Sequence, residues 1–129
     1  MQRDKRLSER VIGCAFEVSN TLGAGFLETV YENALCHELA EKEIAFERQK
    51  ALEVKYKGKL VGNYSADLIV ETRLLVELKA MSQLTRAHEA QVMNYLKATG
   101  IEVGLLLNFG TPKLGIRRIV WRYHGLETI

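Results

Sequence analysis

Proline and cysteine are scarce in this chain, no apolar run is long, and neither sign of charge dominates. The single proline, Pro112, leaves almost the whole chain free to form helices and strands. Cys14 and Cys36 form no CxxC pair and sit in apolar-periodic stretches, which reads as two reduced thiols. A formal charge of +2 does not argue for a strongly phosphate-binding domain, so any basic surface must be local. There is no P-loop, no GxGxxG and no GxSxG elbow, which removes support for nucleotide hydrolysis, dinucleotide chemistry and ordinary esterase chemistry. No His/Cys cluster has zinc-ligand spacing, and His37 and His124 stand isolated. The charged start, Met-Gln-Arg-Asp-Lys-Arg, leads into no signal-type apolar run, and no stretch is long enough to span a bilayer. The expectation is a soluble cytoplasmic protein with no membrane partner.

What is present is the balance of a globular protein, 47% apolar and 26% charged over 129 residues, and the expectation is one domain covering 1–129. Ser8 is placed to cap a helix carrying Val11, Ala15, Val18 and Leu22 at helical spacing, which Gly23 and Gly25 end. A second helix is expected from about Leu27 to Lys42, with Val30, Ala34, Leu35 and Leu39 buried. Strand patterns follow at Ala51 to Tyr56, from the Lys57-Gly58-Lys59 turn to Val70, and at Leu74 to Ala80. A third helix spans Leu84 to Thr99 and stops at Gly100. Val103 to Phe109 reads as a strand covered on both faces, and Ile116 to Tyr123 as a last strand. The order ααβββαββ implies an α/β fold, a mixed sheet of about five strands flanked by helices. No repeat, low-complexity segment or linker interrupts it.

The chemistry concentrates between Asp67 and Glu77. If a hairpin turns symmetrically about Thr72, Val70 pairs with Leu74, Ile69 with Leu75, Leu68 with Val76 and Asp67 with Glu77. Asp67, Glu77 and Lys79 then share one face, while Leu68, Val70, Leu74, Val76 and Leu78 form an apolar face to be buried. Taken alone, Glu77-Leu78-Lys79 reads as a surface ion pair. The combination says more, because Asp67 interrupts an apolar run where it faces Glu77. Two carboxylates this close repel unless a cation or a proton joins them. With the Leu78 carbonyl they form an oxygen set for a hard ion such as Mg²⁺, with Mn²⁺ expected to substitute. Such an ion activates water and polarises a phosphodiester, and a lysine beside it orients that water and offsets phosphate charge.

Glu28 opens the second helix, where it reads either as a first-turn glutamate favoured by the helix dipole or as a third carboxylate for the metal. Tyr31, one turn on, is read as a packing anchor or a substrate contact. His88, Gln91 and Tyr95 fall on one helical stripe, which reads as a polar-aromatic substrate surface or as an ordinary helix boundary. Lys55, Lys57 and Lys59, and Arg117, Arg118 and Arg122, are read first as protection of strand edges and second as phosphate contacts.

Gly25-Phe-Leu-Glu28-Thr-Val-Tyr31 resembles the signature of the GxxExxY proteins. So do Tyr64-Ser-Ala-Asp67, Val76-Glu77-Leu-Lys79-Ala, His88-Glu-Ala-Gln91-Val-Met-Asn94-Tyr95 and Gly104-Leu-Leu-Leu-Asn108-Phe109-Gly110, from about Arg6 to Trp121. That family is placed in the PD-(D/E)XK nuclease superfamily, near its RecB and lambda-exonuclease-like branch. The resemblance implies metal carboxylates at Asp67 and Glu77 and a catalytic lysine at Lys79. It also implies a helix-borne acid at Glu28 and a Gln-x-x-x-Tyr pair at Gln91 and Tyr95. Ala66 departs from the proline of the superfamily's name, which makes no metal contact. The expected function is Mg²⁺-dependent phosphodiester hydrolysis of nucleic acid, DNA first. The alternative is a weak or inactive nuclease-fold module for nucleic-acid binding or protein assembly. A nuclease this small, without clamping domains, is also a candidate for a homo-oligomer.

Overall fold

Apolar residues at helical spacing draw the first two helices onto one face of the sheet. The computed structural model describes residues 2–121. Helix α1 runs Gln2–Leu22, so Ser8 is inside it rather than at its cap. The Ser8 side chain is buried and donates to the Lys5 carbonyl at 3.0 Å, a hydroxyl turned back onto the preceding turn. The helix stops at Gly23 and Gly25, both at positive φ (72° and 116°), as expected. Helix α2 spans Glu28–Glu41 and buries Tyr31, Glu32, Leu35, Cys36 and Leu39. The buried stripe is therefore rotated from the expected one. Val30 is exposed, because Tyr31 turns inward, stacking on Phe109 with ring centroids 4.8 Å apart.

Five strands form one sheet in the order β1-β2-β3-β4-β5: β1 Phe46–Tyr56, β2 Lys59–Val70, β3 Leu74–Lys79, β4 Val103–Asn108 and β5 Gly115–Val120. Helix α3, Arg86–Thr99, connects β3 to its parallel neighbour β4. The other pairings are antiparallel, so the sheet is mixed and the element order is ααβββαββ. Strand β1 begins five residues before the expected Ala51. The expected end of the last strand at Tyr123, together with Arg122 and His124, lies outside the described residues. No helix among the described residues is long and apolar enough to cross a membrane.

The β2–β3 turn is Glu71-Thr72-Arg73, with Glu71 and Thr72 left-handed and Arg73 N–H donating to the Val70 carbonyl at 3.0 Å. This odd turn sets the expected register, Val70 to Leu74, Ile69 to Leu75 and Leu68 to Val76. Leu68, Val70, Leu74, Val76 and Leu78 join the core under α1 and α2. The opposite face is not given over to charge: Ile69 and Leu75 pack with Val92, Leu96 and Leu106 in a second core beneath α3. Gly104 lets α3 approach β4, since a Cβ there would lie 2.8 Å from Val92 Cγ1.

One irregularity positions the site. Phe46, Leu68 and Val70 pack on the α1/α2 side, whereas Leu52, Tyr64 and Ala66, of the same parity, pack on the α3 side. Strict alternation forbids this within a regular hairpin. The switch falls where the ladder skips from Arg48↔Leu68 to Lys50↔Ala66, and the intervening Gln49 is left-handed at φ 48°. Asp67 sits opposite it.

Candidate active site

Beyond Leu68↔Val76 the β2–β3 ladder stops one step short of the expected Asp67–Glu77 pair. The two carboxylates take over the hydrogen bonding. Asp67 N–H donates to Glu77 Oε2 at 2.9 Å, and Leu78 N–H donates to Asp67 Oδ2 at 2.9 Å. Each acid thus secures the neighbouring strand, and the peptide of Leu78 is held beside both. Charge-assisted bonds of this kind are about twice as strong as neutral ones.

Glu77 is 5% exposed. Burial, and next the charge of Asp67, push its pKa up to about 7, although Tyr64, the Asp67 N–H and Lys79 pull it down. Asp67 is also raised, first by burial and further by the charges of Glu32 and Glu28, while the Leu78 N–H and Gln49 act against that. Both acids hold a proton more readily than they would in water, first because they are buried and then because of neighbouring negative charge.

Two residues that sequence reasoning passed over complete this network. Gln49 Nε2 donates to Glu32 Oε1 at 3.0 Å and to Asp67 Oδ1 at 3.3 Å, and its Oε1 accepts from Ser65 Oγ at 3.0 Å. Glu32, buried on α2, is paired with Arg48 at 2.9 Å. The available signal was the spacing of Glu28 and Glu32, one helical turn apart on one face. Gln49 carried none, because its left-handed backbone is a tertiary feature.

Tyr64 enters from β2 and stacks on Tyr95 of α3, with ring centroids 3.3 Å apart. Its hydroxyl is buried beside Glu77 and Tyr95 but makes no well-formed hydrogen bond. Burial, followed by the neighbouring Glu77, drives the Tyr64 pKa far above its ordinary value. Tyr95 is raised mainly by burial, and Gln91 pulls it down. Tyr95 thus meets the site through Tyr64, and Gln91 touches Tyr95. His88 does something else: its Nδ1 accepts the Thr85 N–H at 2.9 Å at the start of α3. It closes the capping box at the start of the helix.

Tyr31 is fully buried; its hydroxyl donates to the Gly23 carbonyl at 2.6 Å and accepts the Phe26 N–H at 3.1 Å. It anchors the loop that presents Glu28 and has no surface to offer a substrate. Glu28 is exposed in the first turn of α2, and Asp67 feels its charge. Lys79 ends β3 next to Asn108 of β4. Asn108 is buried and clamps the segment after Lys79 by bonding both the N–H and the carbonyl of Met81, at 3.0 and 2.9 Å. Of the other cations, Arg117 faces Glu89 at 3.5 Å and Arg118 Nε donates to Ser8 Oγ at 3.4 Å, so these two arginines are engaged within the fold.

The donor chemistry fits a hard divalent cation: two carboxylates, raised in pKa in part by negative charge, beside a fixed peptide. Among the described residues, however, no group of three or more His, Cys, Asp or Glu side chains is gathered closely enough to hold an ion by itself.

No curated protein matches the chain. Among solved structures, that of SSO0001 is similar in fold, with a TM-score of 0.57 at 21% identity over 71% of this chain and 48% of that one. The chain thus spans about half the length of that protein. The family model that matches residues 5–119 covers both acids, Lys79 and every element of the sheet up to Ile119, and by it the chain belongs to the PD-(D/E)XK nuclease superfamily.

Proposed function

We propose that the protein is a Mg²⁺-dependent phosphodiesterase acting on DNA. The observation that carries this reading is the reciprocal bonding of half-buried Asp67 and buried Glu77, which holds two carboxylates together despite their repulsion. Asp67, Glu77 and the Leu78 carbonyl would hold the ion, with Glu28 contributing from α2. A bound Mg²⁺, or Mn²⁺ in its place, supplies Lewis-acid polarisation of the phosphodiester. The protein's own groups do the rest. Lys79 presents an ammonium that orients water and offsets phosphate charge. Gln49 fixes the Asp67 carboxylate, and the Tyr64–Tyr95 stack closes the α3 side of Glu77. Within the superfamily, the motif around Glu28 and the Gln91–Tyr95 pair support a place among the GxxExxY proteins and the RecB-like branch.

The test is a cleavage panel over linear, circular, single- and double-stranded DNA and RNA, with Mg²⁺, Mn²⁺ or chelator. Glu77→Ala and Lys79→Ala should abolish metal-dependent cleavage of DNA while leaving the fold intact. Undiminished cleavage in both variants overturns the assignment. The exposed position of Glu28 favours a second reading, a nuclease-fold module with little or no turnover. Calorimetry separates the two: an inactive module that has lost its metal site shows no saturable Mn²⁺ binding, whereas the enzyme's binding disappears in Asp67→Asn.

A further inference from the structure

The β1–β2 hairpin outruns the protein's two cores. Leu52 and Tyr64 are its last residues to pack, and 53–63 join neither cluster. The segment nonetheless stays paired, from Glu53↔Asn63 to Tyr56↔Lys59. Lys57 and Gly58 close it, both left-handed at φ 50° and 83°, the geometry that matches strand twist in a two-residue hairpin. The register slips between Val54 and Lys55, leaving Val61 as the extra residue of a bulge that sharpens the twist.

A bare two-stranded ribbon is only marginally stable. This one also exposes Tyr56 (62%), Leu60 (52%) and Val61 (60%), with exposed Lys55, Lys57 and Lys59 around them against a single acid, Glu53. Edge protection accounts for the lysines but not for apolar side chains left in water at the same tip. A partner that is both anionic and grooved accounts for both.

We propose that the ribbon is an arm that grips duplex DNA, a proposal that rests on the nuclease reading above. The major groove of B-DNA, about 12 Å wide, admits a two-stranded β-ribbon, and thymine methyl groups there meet apolar side chains. Lys55, Lys57 and Lys59 reach the flanking phosphates. Single strands offer no groove, and the deep, narrow major groove of A-form RNA shuts the ribbon out. Asp67 lies eight residue steps along β2 from Lys59, about 26 Å at ~3.3 Å per step, so the grip falls roughly 8 base pairs from the acids.

The test compares wild type with Lys55→Gln/Lys57→Asn/Lys59→Gln, in which Asn-Gly keeps the turn while the charge is lost. Matching thermal melts and circular dichroism establish that both are folded. Fluorescence anisotropy with a 30-base-pair DNA duplex in chelator isolates binding from cleavage. The variant should bind at least tenfold more weakly at about 100 mM salt, and its slope of log affinity against log salt should flatten by up to ~3, near 0.9 per phosphate contact released. Wild type should prefer B-form DNA to an RNA duplex of the same sequence. Wild-type binding that the variant retains in full overturns the arm and leaves the nuclease reading intact, as does equal affinity for the RNA duplex. A wild type that neither binds nor cuts DNA overturns both. Leu60→Ser/Val61→Ser that shifts the sedimentation mass and not the DNA affinity assigns the arm to a second copy of the chain.

Discussion

Gln49 joins Glu32 of α2 to Asp67 of β2, donating to both carboxylates from a left-handed backbone that breaks the β1–β2 ladder opposite Asp67. A non-glycine residue in this conformation costs on the order of 1 kcal/mol or more, and such strain gathers at functional sites. The amide thus positions the Asp67 carboxylate by tying it to a buried, arginine-paired one.

Gln49→Ala should lower metal affinity and cleavage by about ten- to a hundredfold, the usual effect of removing a group that orients a metal ligand. Gln49→Gly keeps the backbone conformation without the amide and should lose as much. If the glycine variant keeps wild-type Mn²⁺ affinity by calorimetry, the amide does not position Asp67.

Stability should fall as pH rises through the Glu77 titration. The carboxyl ionises near 4.5 in the unfolded chain and near 7 in the fold, so between these values the folded state holds a proton that the unfolded state has released. The loss begins above pH 4.5, is complete above about 7 and amounts to something on the order of 3 kcal/mol. Asp67 shifts in the same direction. Urea denaturation of wild type and Glu77→Gln from pH 4 to 8 checks the sign: the variant's advantage should grow with pH. An advantage that shrinks contradicts it.

Tyr64→Phe removes a buried hydroxyl that has no well-formed partner, and should raise stability by about 1 kcal/mol in chemical denaturation. A variant less stable than wild type would show that the hydroxyl is satisfied in solution.

Tyr31→Phe deletes both the bond to the Gly23 carbonyl and the acceptor for the Phe26 N–H. The expected cost is about 1–3 kcal/mol, with faster amide exchange confined to the loop before Glu28. A variant as stable as wild type, with substrate affinity reduced instead, would return Tyr31 to a substrate role.

The order of elements, the odd turn at Thr72 and the register from Leu68 to Val70 were legible because hydrophobic periodicity and turn chemistry are local. The same logic brought Asp67, Glu77 and Lys79 to one end of the hairpin. Strict alternation would turn Tyr64 away from Asp67 and Glu77, and the structure departs from it. The left-handed Gln49 reverses the face presented by both strands, and that residue lay outside the strand read from sequence. His88 looked like a stripe residue because spacing cannot distinguish a side chain lying along a helix from one folded back on its cap.

The sequence by itself determined the two-carboxylate hairpin and the sheet that carries it, because adjacent strands in a short turn have few registers open to them. Tertiary structure alone decided what surrounds the acids: Gln49 and Glu32 against Asp67, and Tyr64 and Tyr95 against Glu77. These partners come from β1, α2 and α3, and how they meet depends on helix packing and one strained residue, which no periodicity in the chain records.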